Sequence, residues 1–120
     1  MKKIINGKRY DTETAQFIGS ASYSNRTDFY FWSEELYRKK TGEFFLHCEG
    51  GPGSKYGRQT KQNTWSGGEQ IIPLTLAEAK KWGEKYLDAD KYEEVFGRIE
   101  EGKTQIATWI ADSVKADADR

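Results

Sequence analysis

The sequence predicts a single α+β domain, a twisted antiparallel sheet of about five or six short strands with C-terminal helices packed on it. Three observations predict it. Asn6-Gly7 and Thr41-Gly42 each sit between short strand-like runs, where a tight turn is expected. Glu43 to Cys48 alternates its side chains between two faces. Thr75-Leu76-Ala77-Glu78 has the S/T-x-x-E pattern of a capping box and opens a run with helical spacing.

The elements follow in order. Lys2 to Ile5 is a short strand, and Lys8-Arg9-Tyr10 returns beside it across Asn6-Gly7. Asp11 is expected to cap a short helix over Thr12 to Ile18. Gly19 to Thr27 reads as a polar loop and Asp28 to Trp32 as an aromatic strand. Glu34 to Lys40 and Glu43 to Cys48 form a second hairpin. In its second arm Phe44, Leu46 and Cys48 share one face and Phe45 and His47 the other. Both faces are largely apolar or aromatic, so this strand is expected at the centre of the sheet.

Gly50 to Gly68 reads as a long irregular loop, and Gln70 to Leu74 returns as a strand that Pro73 confines to an edge or a strand end. The helix opened by the capping box runs to about Leu87, with Leu76, Ala79, Trp82 and Tyr86 as its apolar set. Asp88 caps a second helix that ends at Phe96 before Gly97. Ile106, Trp109, Ile110 and Val114 suggest a third, roughly Lys103 to Lys115. Residues 1–102 are taken as the α+β domain and 103–120 as a C-terminal helical extension of it.

Composition narrows the function classes. The formal net charge of the 120 residues is zero, which argues against a strongly basic nucleic-acid coat. The balance hides an asymmetry. Residues 1–68 hold eleven Lys+Arg against seven Asp+Glu, and residues 69–120 hold eight against twelve. One cysteine allows no internal disulfide, which fits a reducing, cytoplasmic setting. MKKIINGKRY lacks the ~7–15-residue apolar run of a signal peptide.

No catalytic set is recognisable. His47 and Cys48 are the only His and the only Cys, and neighbours in a strand point to opposite faces. They form neither a nucleophile–base dyad nor a zinc set, and no cofactor is expected. Gly50-Gly51-Pro52-Gly53-Ser54-Lys55 departs from G-x-x-x-x-G-K-[ST], since Lys follows Ser and no helix follows. It reads either as a connector or as a loop whose amides approach an anion. The acidic residues of the C-terminal helices read as a solvated face or as a carboxylate array imitating phosphates.

The binding signal lies between Leu36 and Gly68. Arg38, Lys39, Lys40, Lys55, Arg58 and Lys61 are interleaved with Tyr37, Phe45, Tyr56 and Trp65. The candidate partner-binding residues are Arg38, Lys39, Lys40, Lys55, Tyr56, Arg58, Lys61 and Trp65. Lys55, Tyr56 and Arg58 are expected to serve binding and to add little to stability.

KKIINGKRYDTETA, LYRKKTGEFFLHCEGG, SKYG and WSGGEQIIPLTLAEAKKWGEKYLDADKYEEVFG resemble small proteins carried by phages, plasmids and integrative elements of Gram-positive bacteria. The resemblance covers about residues 1–100, and the tail from about Lys103 departs from it. Some proteins from such neighbourhoods are anti-CRISPR inhibitors of the RNA-guided type II nuclease. The resemblance therefore implies a non-enzymatic inhibitor, acting in the host bacterial cytoplasm on a defence nuclease or its guide RNA. It carries over no site residues. Alternatives are a nucleic-acid-binding accessory protein of a mobile element and a small nuclease.

Overall fold

The computed structural model describes residues 1–100. The expected helix at Lys103 to Lys115, and the extension 103–120, lie outside the described residues.

Among the described residues, eight strands form three antiparallel sheets, followed by two helices. The strands are β1 (Lys2–Ile5), β2 (Lys8–Asp11), β3 (Gln16–Tyr23), β4 (Trp32–Arg38), β5 (Phe44–Gly50), β6 (Arg58–Lys61), β7 (Thr64–Ser66) and β8 (Gly68–Leu74). The helices are α1 (Leu76–Tyr86) and α2 (Ala89–Phe96). The main sheet has the order β3-β4-β5-β8, and β1–β2 and β6–β7 are separate hairpins. The strands are thus divided among three sheets, where the sequence suggested one.

β5 is central, as its two apolar faces require. Phe44, Leu46 and Cys48 pack under Trp82 and Ala79 of α1. Phe45 lies on the opposite face with Tyr10 and Ile71, covered by the β1–β2 hairpin. The turn of that hairpin places Asn6 at φ 52° and Gly7 at φ 77°, the two positive values a type I′ turn needs. β8 is an edge strand and holds Pro73 opposite Phe45.

Residues 12–32 differ from expectation. Asp11 caps only one turn, accepting from Glu13 N at 2.9 Å, and no helix follows. Gln16 to Tyr23 instead pairs with β4 along its length. The cause is tertiary: β4 offers an open edge whose backbone groups need partners. A bulge between Phe17 and Gly19 lets Phe17 pack edge-on against Tyr37 while Ile18 enters the helix-side core. The expected polar loop from Gly19 is therefore strand as far as Tyr23. The expected strand Asp28 to Trp32 is a turn up to Phe31. Asp28 organises it, accepting from Tyr30 N at 2.7 Å and Ser24 Oγ at 2.8 Å.

The helix starts match the sequence. Thr75 Oγ1 accepts from Glu78 N at 3.1 Å, and Glu78 Oε1 accepts from Thr75 N at 2.8 Å. Ala79 and Trp82 are buried and Tyr86 is half-buried, but Leu76 is exposed. Asp88 accepts from Lys91 N at 2.8 Å at the start of α2, and Gly97 ends it at φ 102°.

Candidate functional site

Residues 51–57 fold tightly over the preceding turn. Gly51 N donates to Phe31 O and Gly53 N to Phe29 O, both at 2.8 Å. A Cβ on Gly51 would stand 2.7 Å from Phe29 O, and one on Gly53 2.5 Å from the Phe29 ring. The glycines serve close packing, and these two amides are committed to protein carbonyls. That removes them from any anion cradle. Gly50 to Gly68 is therefore not an irregular loop: a docked turn leads into the β6–β7 hairpin.

A carboxylate clamp fixes the turn. Glu34 is buried, at 3% exposure, on the helix-side face of β4. Its Oε1 accepts from Trp82 Nε1 at 2.8 Å, and its Oε2 accepts a short hydrogen bond from the Tyr56 hydroxyl. Lys55 Nζ reaches Oε2 at 2.9 Å from the solvent side. Burial pushes the Glu34 carboxyl up, but hydrogen bonds from Tyr56, Lys55 and Trp82 outweigh it and hold the group below its ordinary range. The clamp joins β4, the 51–57 turn and α1, and so sets where Arg58 leaves the body.

From there β6 and β7 pair only with each other, and every residue from Arg58 to Trp65 is exposed. Gln62-Asn63 makes the turn, with Asn63 at φ 60°. Trp65 is 52% exposed and stands opposite Gln59. Among the described residues neither Arg58 nor Lys61 has an ion-pair partner. The arm carries two cations, an indole and several amide and hydroxyl side chains, with no acid. At its base Arg26, Phe31, Arg58 and the glycines at 50, 51, 67 and 68 line a depression of about 490 Å³.

The eight expected residues thus separate. Arg58, Lys61 and Trp65 are on the arm. Lys55 and Tyr56 position it. Tyr56 is a correction, because it is 7% exposed and belongs to the helix-side core. Its ring is not available to a partner, and it adds to stability. Arg38 is also internal in role: it donates to Val95 O at 3.2 Å, pinning the last turn of α2, and to Gln16 Oε1 at 3.0 Å. Lys39 and Lys40 lie at the other end of β5, in the β4–β5 turn. The residue missed by sequence reasoning is Glu34. The signal was present, since period two places it between Trp32 and Leu36 on the apolar face.

His47 and Cys48 do point apart. Cys48 is fully buried, and burial pushes its thiol up to about 11. His47 faces Glu35 Oε1 through Nδ1 at 2.9 Å and Glu69 Oε2 through Nε2 at 2.6 Å. Burial pushes the ring down, yet the two carboxylates outweigh it and raise it above its ordinary 6.5. Glu49 sits directly opposite Glu69 across β5 and β8, and Arg26 relieves that repulsion by a two-pronged pair with Glu49. On the helices, Asp88 and Asp90 serve the start of α2, and Glu93 accepts from Ile99 N at 3.1 Å.

Among the described residues no group of three or more His, Cys, Asp or Glu is placed to hold a metal ion. No helix among them is long and apolar enough to cross a membrane. Comparison with known protein families, curated proteins and solved structures finds no match.

Proposed function

We propose that this protein acts by stoichiometric binding, as an inhibitor of a bacterial RNA-guided defence nuclease, and that the β6–β7 arm is its main contact. The observation that carries the reading is the exposed, acid-free set Arg58, Lys61 and Trp65 on a hairpin that pairs with neither of the other sheets. Arg and Trp dominate the energetics of protein interfaces, where a flat indole and a guanidinium fill pockets at little entropic cost. A two-stranded hairpin is marginal alone in water, so docking its side chains and open edges on a partner gives it a reason to persist. The net charge of zero gives little long-range attraction to a polyanion, and the arm itself holds only two cations, which favours a protein surface as the partner of the arm. Catalysis is not part of the proposal: His47 has a carboxylate on each ring nitrogen, and Cys48 faces the core.

The test is a titration against a susceptible nuclease at fixed nuclease concentration. Saturation near an equimolar ratio, lost in the Arg58→Ala, Lys61→Ala, Trp65→Ala variant, supports the reading. Full inhibition at a small fraction of equimolar, with cleaved guide RNA, reveals an enzyme. Capture of guide RNA without the nuclease moves the contact to the RNA.

A further inference from the structure

A second cationic surface lies at the opposite end of β5 from the arm. Lys8 and Arg9 of the β1–β2 hairpin face Lys39 and Lys40 of the β4–β5 turn across a groove of about 750 Å³. The carboxylates lining it are Asp11 and Glu43, so four cations face two acids. Nothing in the sequence spacing joins these residues, because Lys8 and Lys39 are brought together only when the β1–β2 hairpin closes over the sheet.

The groove is built as well as charged. Glu43 is held between Lys8 at 2.8 Å and Lys39 at 3.0 Å, with Thr41 Oγ1 donating to it at 3.3 Å. The Lys39 ammonium also rests 4.2 Å from the centre of the buried Tyr10 ring. Asp11 is engaged by its own turn, accepting from Glu13 N. Arg9 and Lys40 are exposed, and among the described residues neither has an ion-pair partner. The acids are thus neutralised or turned to local use, while the outer two cations stay available.

We propose that this groove binds the phosphate backbone of a double-stranded nucleic acid, independently of the arm. The polarity selects a polyanion. The strandedness follows from what the groove lacks. Its lining holds no exposed aromatic side chain on which an unpaired base would stack, and Tyr10 is covered by Lys39. Exposed cations without a stacking platform match a duplex, which presents phosphates and hides its bases.

The experiment is fluorescence anisotropy with a short labelled duplex DNA and its RNA counterpart, each over a salt series, using the full chain. Binding is expected to weaken with salt at a slope near −0.9 per phosphate contact. Arg9→Gln with Lys40→Gln should reduce that slope by about 2, one per residue, with an unchanged thermal midpoint. Thr41→Lys adds a cation to the rim and should steepen the slope by about 1. Should the double variant not fold, Lys40→Gln alone, at an exposed turn position, gives half the shift. The arm variant should bind duplex as the wild type does. Wild-type affinity in the double variant, or an unmoved slope in Thr41→Lys, overturns the proposal. Tighter binding of single strands, or equal binding of labelled poly-glutamate, also overturns it and assigns the groove to those ligands.

Discussion

Trp82 Nε1 donates to Glu34 Oε1 at 2.8 Å inside the helix-side core, tying α1 to the strand beneath it. Tyr56 completes the carboxylate from the far side. Replacing Glu34 by Ala leaves an indole N–H and a phenol hydroxyl without an acceptor. The expected loss is about 3 kcal/mol. Glu34→Gln keeps the volume and one acceptor oxygen, so its loss should be smaller. The midpoints of urea unfolding decide it, and an unchanged midpoint in Glu34→Ala contradicts the clamp.

Stability and binding should separate along the chain between Tyr56 and Arg58. Tyr56→Phe removes a hydrogen bond to a buried carboxylate and should cost about 2 kcal/mol. Arg58→Ala with Lys61→Ala and Trp65→Ala touches only exposed groups and should shift stability by less than about 1 kcal/mol. Thermal melts of the two variants should therefore differ, with loss of nuclease inhibition per folded molecule confined to the second.

His47 should make stability depend on pH. Its folded value is raised by Glu35 and Glu69, so the protonated ring bridges β4, β5 and β8. A raised value gives stabilisation that is fully present below the unfolded value and is lost as pH rises through the folded one. Urea midpoints should fall as pH rises above the ordinary histidine value of 6.5, and His47→Gln should flatten that fall. A wild-type midpoint that rises over this range contradicts the bridge.

Cys48 should be nearly inert. Its thiol is raised from 9.0 to about 11, which lowers the thiolate fraction at neutral pH about a hundredfold before access is counted. Labelling with a disulfide reagent should be slow in buffer and fast in urea. Rapid labelling of the folded protein contradicts its burial.

Much of this was legible in local chemistry. The capping box at Thr75, the central placement of β5 and the turn at Asn6-Gly7 depend on neighbours within a few residues. β3 was not legible, because Ile18 is its only buried residue and its middle reads Gly-Ser-Ala-Ser. Its strand form is imposed by the edge of β4. Tyr56 was misread for a related reason. Among glycines and lysines it looks like a surface residue, and the group that draws it inward is 22 positions away. The eight candidate residues formed one group in sequence, but β5 carries the chain from one end of the sheet to the other between Lys40 and Lys55.

That strand acts as a ruler. Seven residues of β5 at ~3.3 Å each separate the Lys39–Lys40 turn from the root of the arm by about 20 Å. A rigid body that touches both ends must have at least that reach. A smaller ligand engages one end and leaves the other vacant. Where the two proposed contacts are made to separate partners, the strand length fixes how far apart those partners are held.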